Sequence, residues 1–131
     1  MKRLDDTEYN FKIPDKNAKG NKRKTSKEHS RARKILKELY PNLGIYEEIP
    51  IEIDQETQLY LDFYIPSLNT AIEVHGKQHY EYNSFHFKNK LSWLKAQGND
   101  KKKIEWCQLN NIVIIILPYN LDDQAWKNLL I

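Results

Sequence analysis

The residues whose types and spacing could do chemistry gather between Gln58 and Tyr80, in QLYLDFYIPSLNTAIEVHGKQHY. Two strand-like runs flank Pro66 to Asn69, a short loop in which proline starts a turn and asparagine tolerates unusual dihedrals. Pairing Ile65 with Thr70 sets Asp62 directly opposite Glu73, with Cβ atoms roughly 5 Å apart. Like charges at that spacing destabilise a sheet, so something must compensate. A hard divalent cation would do so by taking carboxylate oxygens. A basic partner or one raised pKa would also relieve the pair. His75 and His79 follow at once and can move protons near neutral pH.

Side chains alternate across a strand, which assigns these residues to faces. Leu59, Leu61, Phe63 and Ile65 are expected on one side of the first strand, and Tyr60, Asp62 and Tyr64 on the other. In the second strand Ile72 and Val74 share one side, and Ala71, Glu73 and His75 the other.

An Asp near the end of one strand, then Glu-x-His on the next in place of Glu-x-Lys, resembles the PD-(D/E)XK nuclease superfamily. Within it, the His-Gly followed closely by another His in EVHGKQH is similar to the very-short-patch repair endonucleases. It is also similar to the related EDxHD homing endonucleases of phages and mobile elements, and the likeness runs from Ser26 to Leu117. The resemblance implies a restriction-endonuclease-like three-layer α/β sandwich, with a mixed sheet of about four strands in the order α-β-β-β-α-β-α. It implies a magnesium-dependent DNA endonuclease, a phosphodiester hydrolase in which Mn²⁺ can substitute. Asp62 would be the principal metal ligand, with the Glu73 side chain or the Val74 carbonyl as the second. His79 or His75 would collect the proton of the attacking water. A monomer would nick one strand, and a homodimer could cut both. Glu28 and Asp100 fall at the remaining acidic positions of the pattern, and each also reads as a helix cap. Lys77 either faces outwards or steadies charge on the phosphate.

The 131 residues are most simply one domain. A single cysteine, Cys107, excludes an internal disulfide and a cysteine-rich zinc site, and an intracellular, cytoplasmic setting is expected. No apolar run approaches about 18 residues, and MKRLDDTEYN lacks the apolar centre of a signal peptide, so no membrane association is expected. The net charge of +3 is modest, but eleven Lys or Arg lie between Lys12 and Lys37 against Asp15 and Glu28. Residues 1–24 therefore read as a basic arm before a single domain at 25–131. Lys22, Arg23 and Lys24 are either solvated or set against DNA phosphates, and Tyr9 and Phe11 could tack part of the arm down.

Other elements must position the central pair. Thr25 to Tyr40 predicts a helix with a Thr25-x-x-Glu28 capping box and an inward stripe of Glu28, Ala32, Ile35, Leu36 and Leu39. Arg31, Arg33, Lys34 and Lys37 lie on its other faces, where Arg31 and Lys34 could hold phosphates. Gly44 to Ile53 predicts a strand in which Pro50 marks an edge or a bulge, with Glu47 and Glu48 on the surface. Glu81 to Gln97 interleaves aromatic and basic residues, Lys88 and His86 among them, as a nucleic-acid surface would. Phe87, Leu91 and Leu94 equally suit a packed helix there. Gly98-Asn99 predicts a break before a second helix, Asp100 to Asn110. Asn111 to Leu117 reads as a central strand, and Asp122 to Ile131 as a closing helix.

Overall fold

The computed structural model describes residues 1–14, 26–82 and 89–131. Three helices, α1 (Lys27–Leu39), α2 (Lys90–Leu109) and α3 (Asp123–Leu130), surround four strands: β1 (Tyr46–Glu52), β2 (Gln58–Ile65), β3 (Thr70–His75) and β4 (Val113–Pro118). The chain runs helix, three strands, helix, strand, helix, and the sheet order is β1-β2-β3-β4. The first two pairings are antiparallel and β3–β4 is parallel, so the sheet is mixed as expected. A parallel neighbour needs a long crossover, and α2 supplies it.

The hairpin register is the one that the turn residues dictate. Ile65 pairs with Thr70 and Phe63 with Ile72, around a 3₁₀ turn at Pro66–Leu68 in which Asn69 takes the left-handed conformation, φ 47°. Its N–H bonds Pro66 O at 3.0 Å.

Apolar residues divide between two layers. Ala32, Ile35 and Leu36 of α1 and Trp126 and Leu130 of α3 pack on Phe63, Ile65, Ile72, Val74 and Leu117. Trp106 and Cys107 of α2 pack on the opposite side against Ile49, Ile51, Leu61, Tyr64 and Ala71. Simple alternation along β2 therefore fails: Leu61 belongs to the α2 layer, whereas Phe63 and Ile65 belong to the α1/α3 layer. The change of face falls at Asp62, opposite Glu48, whose φ of 52° breaks the regular pleat of β1.

Further expectations need correction. The first residues are tacked down, by Tyr9 and Phe11 as one reading allowed and by Leu4 and Ile13 as well, all packing on the α2 layer, and Leu4 N–H bonds Ile53 O at 2.7 Å. Phe11 meets the Tyr64 ring edge-on at 5.8 Å. The cap of α1 is Ser26, whose side chain accepts from His29 N at 3.0 Å, and Thr25 of the expected capping box lies outside the described residues. Gly98 does not interrupt α2, which runs unbroken for 20 residues and places Asp100 inside the helix. Leu91 and Leu94 are exposed. β4 is an edge strand; its apolar run reflects cover on both faces, by α2 over Ile114 and by α3 over Leu117. Phe87, His86, Lys88 and the Lys22-Arg23-Lys24 run lie outside the described residues.

Cys107 is fully buried, and burial, then the charge of Glu73, pushes its thiol up to about 12. Thiolate is the reactive form. The native protein is therefore expected to resist iodoacetamide at pH 8 and to be alkylated once unfolded in guanidinium, as read by intact mass. Stoichiometric labelling of the native protein would contradict this packing.

Candidate active site

Beyond Phe63 and Ile72 the β2–β3 ladder gives way to side chains. Asp62 N–H donates to Glu73 Oε2 at 2.7 Å, and Val74 N–H donates to Asp62 Oδ2 at 2.8 Å. Each carboxylate thus satisfies a main-chain amide of the opposite strand. Asp62 and Glu73 are held side by side despite their like charge.

The compensation is a basic partner from α2. Lys103 Nζ lies 2.8 Å from Glu73 Oε1, with side-chain exposures of 17% and 3%. Burial and then the charge of Asp62 push Glu73 up. Burial also opposes a charge on Lys103, but Glu73 outweighs it and holds the amine above its ordinary range. Both Glu73 oxygens accept hydrogen bonds, which is the geometry of an ionised carboxylate, and we read the pair as Glu⁻ with Lys⁺. Asp62, which acts on the Lys103 charge only at longer range, has no cation within ion-pair distance among the described residues.

Two clefts meet at this point. One, of about 180 Å³, is lined by Ser26, His29, Asp62, Glu73, His79 and Lys103. The other, of about 420 Å³, is lined by Tyr60, Asp62, Asn99, Asp100 and Lys103, and Glu48 borders both. Glu48 was expected on the surface; its left-handed backbone instead turns it into the site, a conformation costing roughly 1 kcal/mol without a glycine. Glu47 is held by Arg33 at 2.7 Å and by His29 at 2.8 Å. Burial would raise Glu47, but these partners hold it at about 2.

The two histidines form a stacked pair. His75 and His79 stack with centroids 4.3 Å apart and planes 4° from parallel. A metal lies in the plane of each imidazole that binds it, so two parallel rings cannot share one. The His75, His79 and Asp100 cluster is therefore better suited to protons than to an ion. His79 Nδ1 lies 2.7 Å from Asp100 Oδ2. Burial would raise Asp100, but His79 holds it below its ordinary range, so the carboxylate accepts and Nδ1 carries the hydrogen. In the neutral ring Nε2 is then left basic. The loop bearing His79 is pinned to α2, since Trp93 Nε1 donates to Gln78 O at 2.8 Å and Gln97 Nε2 to His79 O at 3.2 Å.

Of the residues expected here, Asp62, Glu73, Val74, His75, His79 and Asp100 come together. Glu28 does not line the clefts; its neighbour His29 does. Arg31 is engaged elsewhere, stacked 3.6 Å above the Trp126 ring and donating to Leu121 O at 2.7 Å. Lys34 is exposed on α1, and Lys77 is exposed and lies 3.6 Å from Glu81. The missed residues are Lys103, His29 and Glu48. Asp100, Lys103 and Cys107 share one helical stripe, a spacing already present in the helix expected from Asp100 to Asn110.

No family model matches the chain, and no solved structure matches it. Over 71 residues it is 42% identical to uncharacterized protein 094L of Frog virus 3 (isolate Goorha), covering 53% of this chain and 46% of that protein. It is 35% identical over 63 residues to uncharacterized protein 033L of Invertebrate iridescent virus 3, covering 48% of this chain and 32% of that protein. The same identity holds over 65 residues of uncharacterized protein 307L of Invertebrate iridescent virus 6, at 50% and 33%. The chain thus spans from about a third to less than a half of the length of these relatives. Among the described residues, no helix is long and apolar enough to cross a membrane.

Burial, then the nearness of His79, lowers His75 to about 4. Unfolding returns it to about 6.5. Between those values the unfolded chain binds a proton that the folded chain does not, so stability rises with pH across this window. Urea unfolding from pH 4 to 7 should show that rise, and His75→Gln should flatten it. An equal slope in the variant would contradict the assignment.

Proposed function

We propose that the protein is a divalent-cation-dependent DNA endonuclease of the PD-(D/E)XK type, hydrolysing phosphodiester bonds and nicking one strand per encounter. The observation that carries this reading is the interlocked Asp62–Glu73 pair with Lys103 on Glu73, opening on the same clefts as the His79–Asp100 pair. The donor set fits a hard cation such as Mg²⁺ or Mn²⁺: carboxylate oxygen from Asp62, with no ion-pair partner among the described residues, beside a second carboxylate. Such an ion, when bound, neutralises charge on a phosphodiester and lowers the pKa of a water.

The chain's own groups supply the rest. Lys103 keeps Glu73 ionised and presents a cation to the cleft, where it can stabilise negative charge building on a phosphate. Asp100 fixes the His79 tautomer so that Nε2 faces its task as proton acceptor. His75 stacks beside it as a neutral ring. His75 occupies the strand position of the lysine in the Glu-x-Lys pattern, and the cation beside Glu73 comes instead from α2, as Lys103.

Purified protein is expected to convert supercoiled plasmid to the nicked form with Mg²⁺ or Mn²⁺ and to do nothing in EDTA. Asp62→Ala should abolish nicking with the fold intact by circular dichroism. Lys103→Met and His79→Ala should each slow it by about 100-fold or more. Salt-sensitive DNA binding with no cleavage under any divalent metal, or full activity in Asp62→Ala, would overturn this reading.

A further inference from the structure

We propose that His29 and Glu48 join Asp62 as ligands of the cation, and that this mixed nitrogen and oxygen set selects a transition-series ion of the Mn²⁺ class over Mg²⁺. The inference rests on the reading that Asp62 carries the cation, and it adds two ligands from α1 and β1 that neither the hairpin nor its motif contains.

Proximity comes first. One ring nitrogen of His29 and one carboxylate oxygen each of Glu48 and Asp62 lie within 4.8 Å of one another. Atoms sharing an ion through bonds of about 2.2 Å can be at most about 4.4 Å apart, so a small side-chain rotation closes the set.

The support around His29 resembles that of a metal-binding imidazole. Such a ring usually donates its other N–H to a carboxylate, which fixes its tautomer and raises its basicity. His29 Nε2 lies 2.8 Å from Glu47 Oε1. Glu47 is itself gripped by Arg33 through two hydrogen bonds, of 2.8 and 2.7 Å, so it is a carboxylate and only accepts. The hydrogen therefore sits on Nε2, which leaves the lone pair on Nδ1. His29 is 5% exposed and stacked 4.4 Å from the Phe63 ring, so its orientation is fixed before any ion arrives. Glu48 reaches the cleft through a backbone conformation, φ 52°, that an L residue rarely adopts. A strained residue opposite Asp62 and a braced histidine converging on one point are hard to explain by packing alone.

Mg²⁺ demands near-octahedral oxygen ligands and dehydrates reluctantly, whereas an imidazole nitrogen suits transition-series ions. The set therefore discriminates against the commoner ion.

Titration of DNA-free protein with Mn²⁺, followed by loss of the aqueous Mn²⁺ electron paramagnetic resonance signal, tests this directly. Wild type is expected to bind Mn²⁺ at least 10-fold more tightly than Mg²⁺ in competition, and its spin-echo modulation should show a coordinated ¹⁴N. His29→Gln should lose that nitrogen coupling and the preference for Mn²⁺, and Glu48→Gln should weaken binding at least 10-fold. Equal competition by Mg²⁺ in wild type, an absent ¹⁴N coupling, one that persists in His29→Gln, or unchanged affinity in Glu48→Gln would overturn the inference. The first two readings need only wild-type protein, so they decide even if a variant fails to fold. Plasmid nicking separates the two levels: Mn²⁺ selection without cleavage sinks the nuclease reading alone, and cleavage with indifferent ligands sinks this one alone.

Discussion

The structure depends on a place where a β-ladder stops being made of main chain. Past Phe63 and Ile72, the carboxylates of Asp62 and Glu73 take over the hydrogen bonds that strand carbonyls would otherwise accept. Buried amides must be satisfied, so these two acids have a structural reason to be where they are. Their proximity then creates an electrostatic problem that the rest of the fold answers.

The answer comes from three elements. α2 delivers Lys103 to Glu73 and Asp100 to His79 from successive turns of one face. β1 distorts at Glu48. α1, tied to β1 through the His29–Glu47–Arg33 network, brings a braced imidazole to the cleft. Breaking one member of a buried ionic set leaves a charge without its partner, which is why such sets are sensitive to single substitutions. The two hydrophobic layers are the frame that holds these elements in register.

Much of this was legible in the amino-acid sequence, and the misses share a cause. The hairpin register followed from Pro66 and Asn69, and the pairing of Asp62 with Glu73 followed from it. The face of Leu61 did not, because alternation assumes an unbroken pleat and Glu48 breaks it opposite Asp62. Lys103 already lay in the predicted helix from Asp100, but a lysine on a helix reads as solvated until its partner on a strand is known, and Gly98 did not stop that helix. A helix glycine costs about 1 kcal/mol, which tertiary packing of a 20-residue helix can outweigh. The apolar run at β4 reported covered faces, which a strand at the edge of a sheet can have as well as one at its centre. Glu47 and Glu48 looked alike in sequence, yet one binds His29 and Arg33 while the other borders both clefts. Only the third dimension separates them.

The central claim is that Asp62, with no ion-pair partner among the described residues and beside a Glu73 neutralised by Lys103, gathers a cation at the junction of the two clefts. Anomalous diffraction at the manganese edge from crystals soaked in Mn²⁺ tests it most directly. The account predicts one strong peak within bonding distance of an Asp62 oxygen. A peak confined to other residues, or none at saturating Mn²⁺, would contradict it.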